Sequence, residues 1–153
     1  MSRGRIRLHR EIRATAADVF RALTDLERTP EWDTRVQKVT QMTRGPLRPG
    51  VILRSTLIVD GETTHLDDEI TDFDPPTRFG LRSVHGNTNA VTYSLVEDES
   101  DLTQVDVSLT YDLPEPPPEL QLDEAALQAA ITAALDQALD LLRDLVEKDS
   151  TRE

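Results

Sequence analysis

Residues 51–73 read VILRSTLIVDGETTHLDDEITDF. Leu53, Leu57 and Val59 alternate with polar or outward positions before Asp60-Gly61, and Leu66 and Ile70 alternate after it. Period-two alternation is the mark of a strand with one buried face. Asp-Gly is a favoured pair for the two-residue type I′ hairpin turn, so 51–60 and 62–73 are expected to pair as an antiparallel hairpin. The same period continues on both sides, with further strands expected at 36–43, 78–85, 88–96 and 102–112. Their separators are Gly45-Pro46 with Pro49-Gly50, Asp74-Pro75-Pro76, Gly86-Asn87 and the acidic run 97–101. Links this short join antiparallel neighbours, because a parallel crossover needs a dozen or more residues.

The flanks complete the layout. Ile6, Leu8 and Ile12 share a face of a strand over 5–12, and Thr15 offers an N-cap to a short helix carrying Val19, Phe20 and Leu23. Thr29-Pro30 opens a second short helical turn. Pro114 to Pro118 forms a stiff connector, after which Asp123 caps a helix to Lys148, about 39 Å long. Its apolar stripe is Leu127, Ile131, Leu135, Ala138, Leu142 and Leu145, which must lie across the apolar sheet face. Charge suggests where the first strand goes: its arginines would face Asp106 and Asp112 if it lies beside the last strand. The expected class is α+β, one domain over 1–153 with its core at 5–148 and a frayed tail at 149–153.

Composition narrows the function classes. The 153 residues include no cysteine, which removes disulfides, thiolate nucleophiles and cysteine-ligated metals. A formal net charge of −12 argues against a nucleic-acid surface. Basic residues gather at the N-terminus, with five arginines against Glu11 in residues 1–13, whereas residues 97–153 are strongly acidic. No apolar run reaches the ~20 residues of a membrane span, and the N-terminus lacks the apolar stretch of a signal peptide, so a cytoplasmic location is expected.

Several short motifs recur in a recognisable order: Ile12-Arg13-Ala14, Val19-Phe20, Leu23-Thr24-Asp25, Pro30-Glu31-Trp32-Asp33, Gly50 opening a strand, and Phe73-Asp74-Pro75-Pro76-Thr77-Arg78. Over about 5–148 this order resembles the START-like (SRPBCC) superfamily with its Bet v 1-like helix-grip fold, in particular the polyketide cyclase/dehydrase and lipid-transport group. The resemblance implies a curved seven-stranded antiparallel sheet with two short helices and a long C-terminal helix on its concave face, enclosing a ligand cavity. It implies a small hydrophobic or aromatic ligand, lipid- or polyketide-like. An aromatase/cyclase-type enzyme is the alternative, and a protein-interaction module the third class.

Candidate residues follow from phase and polarity. Ala126, Ala130, Ala134 and Ala138 either leave room beside the helix or let it sit close to the sheet. Ligand contacts are expected from Trp32, Ser55, Leu57, Phe79, Leu81, His85, Tyr93, Ala134, Leu135 and Ala138. Arg10 and Asp68 combine inward phase with charge, and a buried charge must be paired or neutralised. With Tyr93 they are the catalytic candidates, anchoring a polar group or, for Asp68, acting as general base, unless a bulge or strand end turns them outward. His65, Asp67 and Glu69 alternate on the outer face about 7 Å apart at each step, too far for one ion. His9, His65 and His85 do not converge either, so no metal or cofactor is expected. The expected partners are a small hydrophobic molecule and, as an open option, a second copy in a homodimer.

Overall fold

The computed structural model describes residues 2–59, 61–85, 88–99, 101–113 and 124–150. Asp60 of the hairpin turn, Gly86-Asn87, the Pro114–Pro118 connector, the Asp123 cap and the tail beyond 150 lie outside these residues. In chain order the elements are β1 (Ser2–Ile12), α1 (Ala16–Thr24), a 3-10 turn (Leu26–Arg28), α2 (Thr29–Trp32), β2 (Val36–Gln41), β3 (Ile52–Val59), β4 (Glu62–Asp74), β5 (Arg78–Ser83), β6 (Thr88–Glu97), β7 (Thr103–Leu113) and α3 (Glu124–Ser150). The seven strands form one antiparallel sheet in the order β1-β7-β6-β5-β4-β3-β2.

The hairpin at the centre of the sequence forms as its residues dictate. Val59 pairs with Glu62, leaving a two-residue link in which Gly61 has φ 80°, a conformation glycine adopts without steric cost. β1 pairs with β7 from Ser2↔Leu113 to Ile12↔Thr103. The expected charge pairing is half met. Arg3 Nε lies 3.3 Å from Asp112 Oδ2, but Asp106 is taken by His9, at 2.8 Å, while Arg5 and Arg7 sit opposite Thr110 and Ser108.

One irregularity re-aims a side chain. The β4–β5 register shifts between Ile70 and Asp72, so inward phase passes from Ile70 to Phe73 instead of Asp72. Phe73 then packs edge-on against Phe20 and Phe79 at 5.4 and 6.1 Å. Ile12, Val19, Ile70, Val105, Leu139 and Leu142 are fully buried, each contributing ~1.5–3 kcal/mol of transfer free energy.

Polar contacts tie the helices to this sheet. Thr15 Oγ1 accepts from the Asp18 N–H at 3.2 Å, and the Ala16 N–H donates to Glu97 at 2.6 Å, so α1 starts from the end of β6. α3 buries Ala138, Leu139, Leu142 and Val146. It is held from β1 by Arg10, which pairs with Asp136 and, at 3.0 Å, with Asp140. Arg28 reaches its far end, 2.6 Å from Asp149.

Candidate functional site: a cavity between sheet and helix

Between the inner faces of β3 to β6 and the first half of α3 lies a cavity of about 240 Å³. Its sheet wall is formed by Leu53, Leu57, Phe79, Leu81 and Tyr93, its helix wall by Ile131 and Leu135, and Trp32 contributes from α2. The cavity's position follows from how α3 is buried. From Ala138 to Val146 the inner stripe is closed against the core, whereas Ile131 and Leu135 are half-buried and their neighbours Ala129 and Ala130 are exposed. Typical ligand cavities span ~300–1,000 Å³, so this one sits just below that range and suits a compact ligand.

Few polar groups interrupt the apolar lining. At one place the chain brings Asp33 and Arg35 together, with Arg35 Nε and Nη2 donating to the two Asp33 oxygens at 3.2 Å each. The bidentate pair cancels its own charge. Elsewhere Ser55, Asp68 and Tyr93 line the cavity. Among the described residues none of the three side chains has a hydrogen-bond or ion-pair partner. Burial raises the Asp68 carboxyl, and the neighbouring Asp67 charge raises it further. Tyr93 is 6% exposed, and burial pushes its phenol well above the usual range, with the Asp33 charge adding to the shift. Burial thus keeps the Tyr93 phenol protonated as a donor and makes the Asp68 carboxylate a stronger base than a solvated one. The Trp32 N–H is buried and has no partner among the described residues.

The sequence-derived candidates separate cleanly. Trp32, Ser55, Leu57, Asp68, Phe79, Leu81, Tyr93 and Leu135 all line the cavity. Arg10 does not. Its inward phase is as expected, but the surface it meets is α3, where Asp136 and Asp140 neutralise it. His85 also lies elsewhere, because β5 ends at Ser83 and alternation no longer governs the residue two positions on. It is exposed, 3.9 Å from Asp67. Ala134 and Ala138 are replaced by Ile131 as the helix contact. A four-residue step advances 400° and drifts about 40° per step, so the row from Ala126 leaves the inner face. Ala126 and Ala130 are exposed, Ala134 is half-buried, and Ala138 alone is in the core. The Asp33–Arg35 pair is not among the contacts expected from sequence, and Ile131 is expected there only as part of the apolar stripe of α3. The proximity of the Asp33 and Arg35 charges to the turn at Trp32 was the available signal. Among the described residues no group of three His, Asp or Glu side chains is arranged to hold a metal ion, and no helix is long and apolar enough to cross a membrane.

The family described as polyketide cyclase/dehydrase and lipid transport matches residues 3–147. The chain belongs to that family. Its fold is shared with solved structures of low sequence identity. A START superfamily protein from Mycobacterium smegmatis is 16% identical with a TM-score of 0.78, over 94% of this chain and 97% of that one. The Zhui aromatase/cyclase from a Streptomyces species is 15% identical with a TM-score of 0.78, over 95% and 94%. A protein from Thermus thermophilus is 21% identical with a TM-score of 0.79, over 96% and 99%. No curated protein matches the sequence. Within this fold the cavity lies between the sheet and α3.

Proposed function

We propose that this protein binds a small hydrophobic or aromatic molecule, lipid- or polyketide-like, in the cavity between the sheet and α3. The observation that carries this is the 240 Å³ space walled by Leu57, Phe79, Leu81, Tyr93, Ile131 and Leu135. Unfilled volume of that size costs stability, and a site with an apolar wall and a few fixed polar groups is the usual form of a ligand pocket. The family description supports the same class of ligand. Titration with N-phenylnaphthylamine, a neutral apolar fluorophore, tests it. Saturable enhancement at one probe per chain is expected, and its absence would remove the proposal.

A second function, aromatase/cyclase-type catalysis, is favoured by one specific observation: Asp68 and Tyr93 line the same cavity. A carboxylate whose pKa is raised by burial is a stronger base than a solvated one. Asp68 would take a proton from carbon beside a carbonyl, and the neutral Tyr93 phenol would donate to the enolate oxygen that forms. Arg10 has no part in this chemistry, being committed to α3. Deuterium exchange into a small diketone from D2O is the direct check. The catalytic proposal requires exchange that is lost in Asp68→Asn; equal exchange in both proteins would leave ligand binding alone.

A further inference from the structure

β4 is longer than the strand beside it. Its ladder with β5 begins only at Asp68↔Ser83, extended by one bond from the Val84 N–H to the Asp67 carbonyl at 2.9 Å, so among the described residues 62–66 are paired on the β3 side alone. Where β5 stops, a recess of about 270 Å³ opens, lined by His65, Leu66, Asp67, Asp68, Ser83, His85 and Asn89. Leu66 and Asp68 line both this recess and the internal cavity. Leu66 is 53% exposed although it shares the inward phase of Ile70, as expected of a side chain standing in an opening and not against a wall.

The charges around this opening are uneven. Asp67 is neutralised by Arg54, whose Nε and Nη2 donate to its two oxygens at 2.8 and 3.0 Å. Within the cavity, Asp33 and Arg35 cancel each other. Asp68 is the remaining charged group of the cavity lining, and among the described residues nothing compensates it. On the recess side, Asn89 Oδ1 is buried without a partner, while the Asn89 backbone N–H is satisfied by Ser83 Oγ at 2.8 Å. Asp68 therefore stands where recess and cavity meet as an acceptor without a partner among the described residues, and buried polar groups are ordinarily satisfied.

We propose that this passage seats the polar end of the ligand, and that the ligand is an amphiphile whose polar end donates hydrogen bonds, such as an amine or a hydroxyl, with Asp68 as its acceptor and carboxylate-headed ligands disfavoured. This rests on the cavity being the binding site and names the ligand class it takes. The apolar body lies against Leu57, Leu81 and Leu135, and the donor end stops at Asp68. A carboxylate at the same place meets an uncompensated like charge in a low-dielectric wall.

Displacement of bound N-phenylnaphthylamine by octylamine, octanol and octanoate tests the proposal. The chains match and only the head groups differ. The protein's overall charge of −12 attracts any cation, so the decisive readout is the change caused by one residue. The octylamine-to-octanoate affinity ratio is expected to fall about tenfold in Asp68→Asn, the size of one charge-assisted contact. A merely structural role for Asp68 would weaken all three ligands together and leave the ratio intact. An unchanged ratio, or octanoate binding the wild type as well as octylamine, overturns the proposal while the cavity stands as the binding site. Failure of N-phenylnaphthylamine to bind at all overturns both. Asp68→Asn removes an unpaired charge and keeps the side-chain shape, so it is expected to fold. Leu66→Trp gives an independent check by narrowing the opening, and should slow probe uptake in stopped flow. Unaltered uptake kinetics would place the entrance elsewhere and overturn the passage.

Discussion

Placing a phenyl ring at Ser55 should fill the cavity from the sheet side without disturbing the core. Ser55 projects from β3 into the 240 Å³ space and gives up no hydrogen bond when replaced, among the described residues. A ring occupying about a third of that volume recovers roughly 80 Å³, worth ~2 kcal/mol at ~24 cal/mol per Å³ of cavity. A side chain held off its best rotamer costs ~0.5–1.5 kcal/mol, so Ser55→Phe should stabilise by about 0.5–1.5 kcal/mol. For a chain of this size that is a rise in Tm of about 1–6 °C. Calorimetry and urea titration read the stability, and N-phenylnaphthylamine titration reads the site, which should lose at least about tenfold in affinity as the ring takes the ligand's place. Ala138→Trp is the contrast: Ala138 is 6% exposed within the packed core, and overpacking there should cost ~1–3 kcal/mol. Loss of stability in Ser55→Phe together with intact probe binding would refute the cavity.

Two further outcomes are expected. Arg10→Ala leaves Asp136 without its Arg10 contact and Asp140 with Arg143 alone, at 3.5 Å, and should lower stability in urea by about 1–2 kcal/mol, with a coupling to Asp140→Asn above about 0.5 kcal/mol; additive single and double variants would show that the contact contributes nothing. Asp68 has a folded pKa raised above the unfolded value of 3.8 by burial, so its charge opposes folding at neutral pH and the opposition disappears as pH falls through the folded pKa. Asp68→Asn should therefore be more stable than wild type at pH 7, with the difference closing below pH 3.8; a variant less stable at pH 7 would mean that the carboxylate is held by a favourable partner.

The parts of the fold visible in sequence are those set by near neighbours. The alternation through β3, the antiparallel pairing of β3 with β4 and the burial of Ala138 and Leu142 on α3 each depend on residues a few positions apart, and each took the expected form. Pairing of β1 with β7 was legible because opposite charges in distant segments suggested it, although His9 and not an arginine took Asp106. The failures share a different physical origin. Arg10 faces a helix 130 residues away in sequence, and no local pattern distinguishes that from facing a ligand. His85 was misplaced because strand phase stops being informative where β5 ends. The bulge between Ile70 and Asp72 moved Phe73 inward through one extra residue, and the alanine row failed because a four-residue repeat drifts around a helix of 3.6 residues per turn. The lining of the cavity by Ile131 and by the paired Asp33 and Arg35 is a product of tertiary packing.

Isotope-filtered NMR of the protein with bound N-phenylnaphthylamine measures most directly whether the cavity is the ligand site. Intermolecular NOEs from the probe to the methyl groups of Leu57, Leu81, Ile131 and Leu135 are expected, all of which line the cavity. NOEs confined to Met42, Ile58 or Val96, which are exposed hydrophobic side chains outside it, would place the probe on the surface and contradict a binding cavity between sheet and helix.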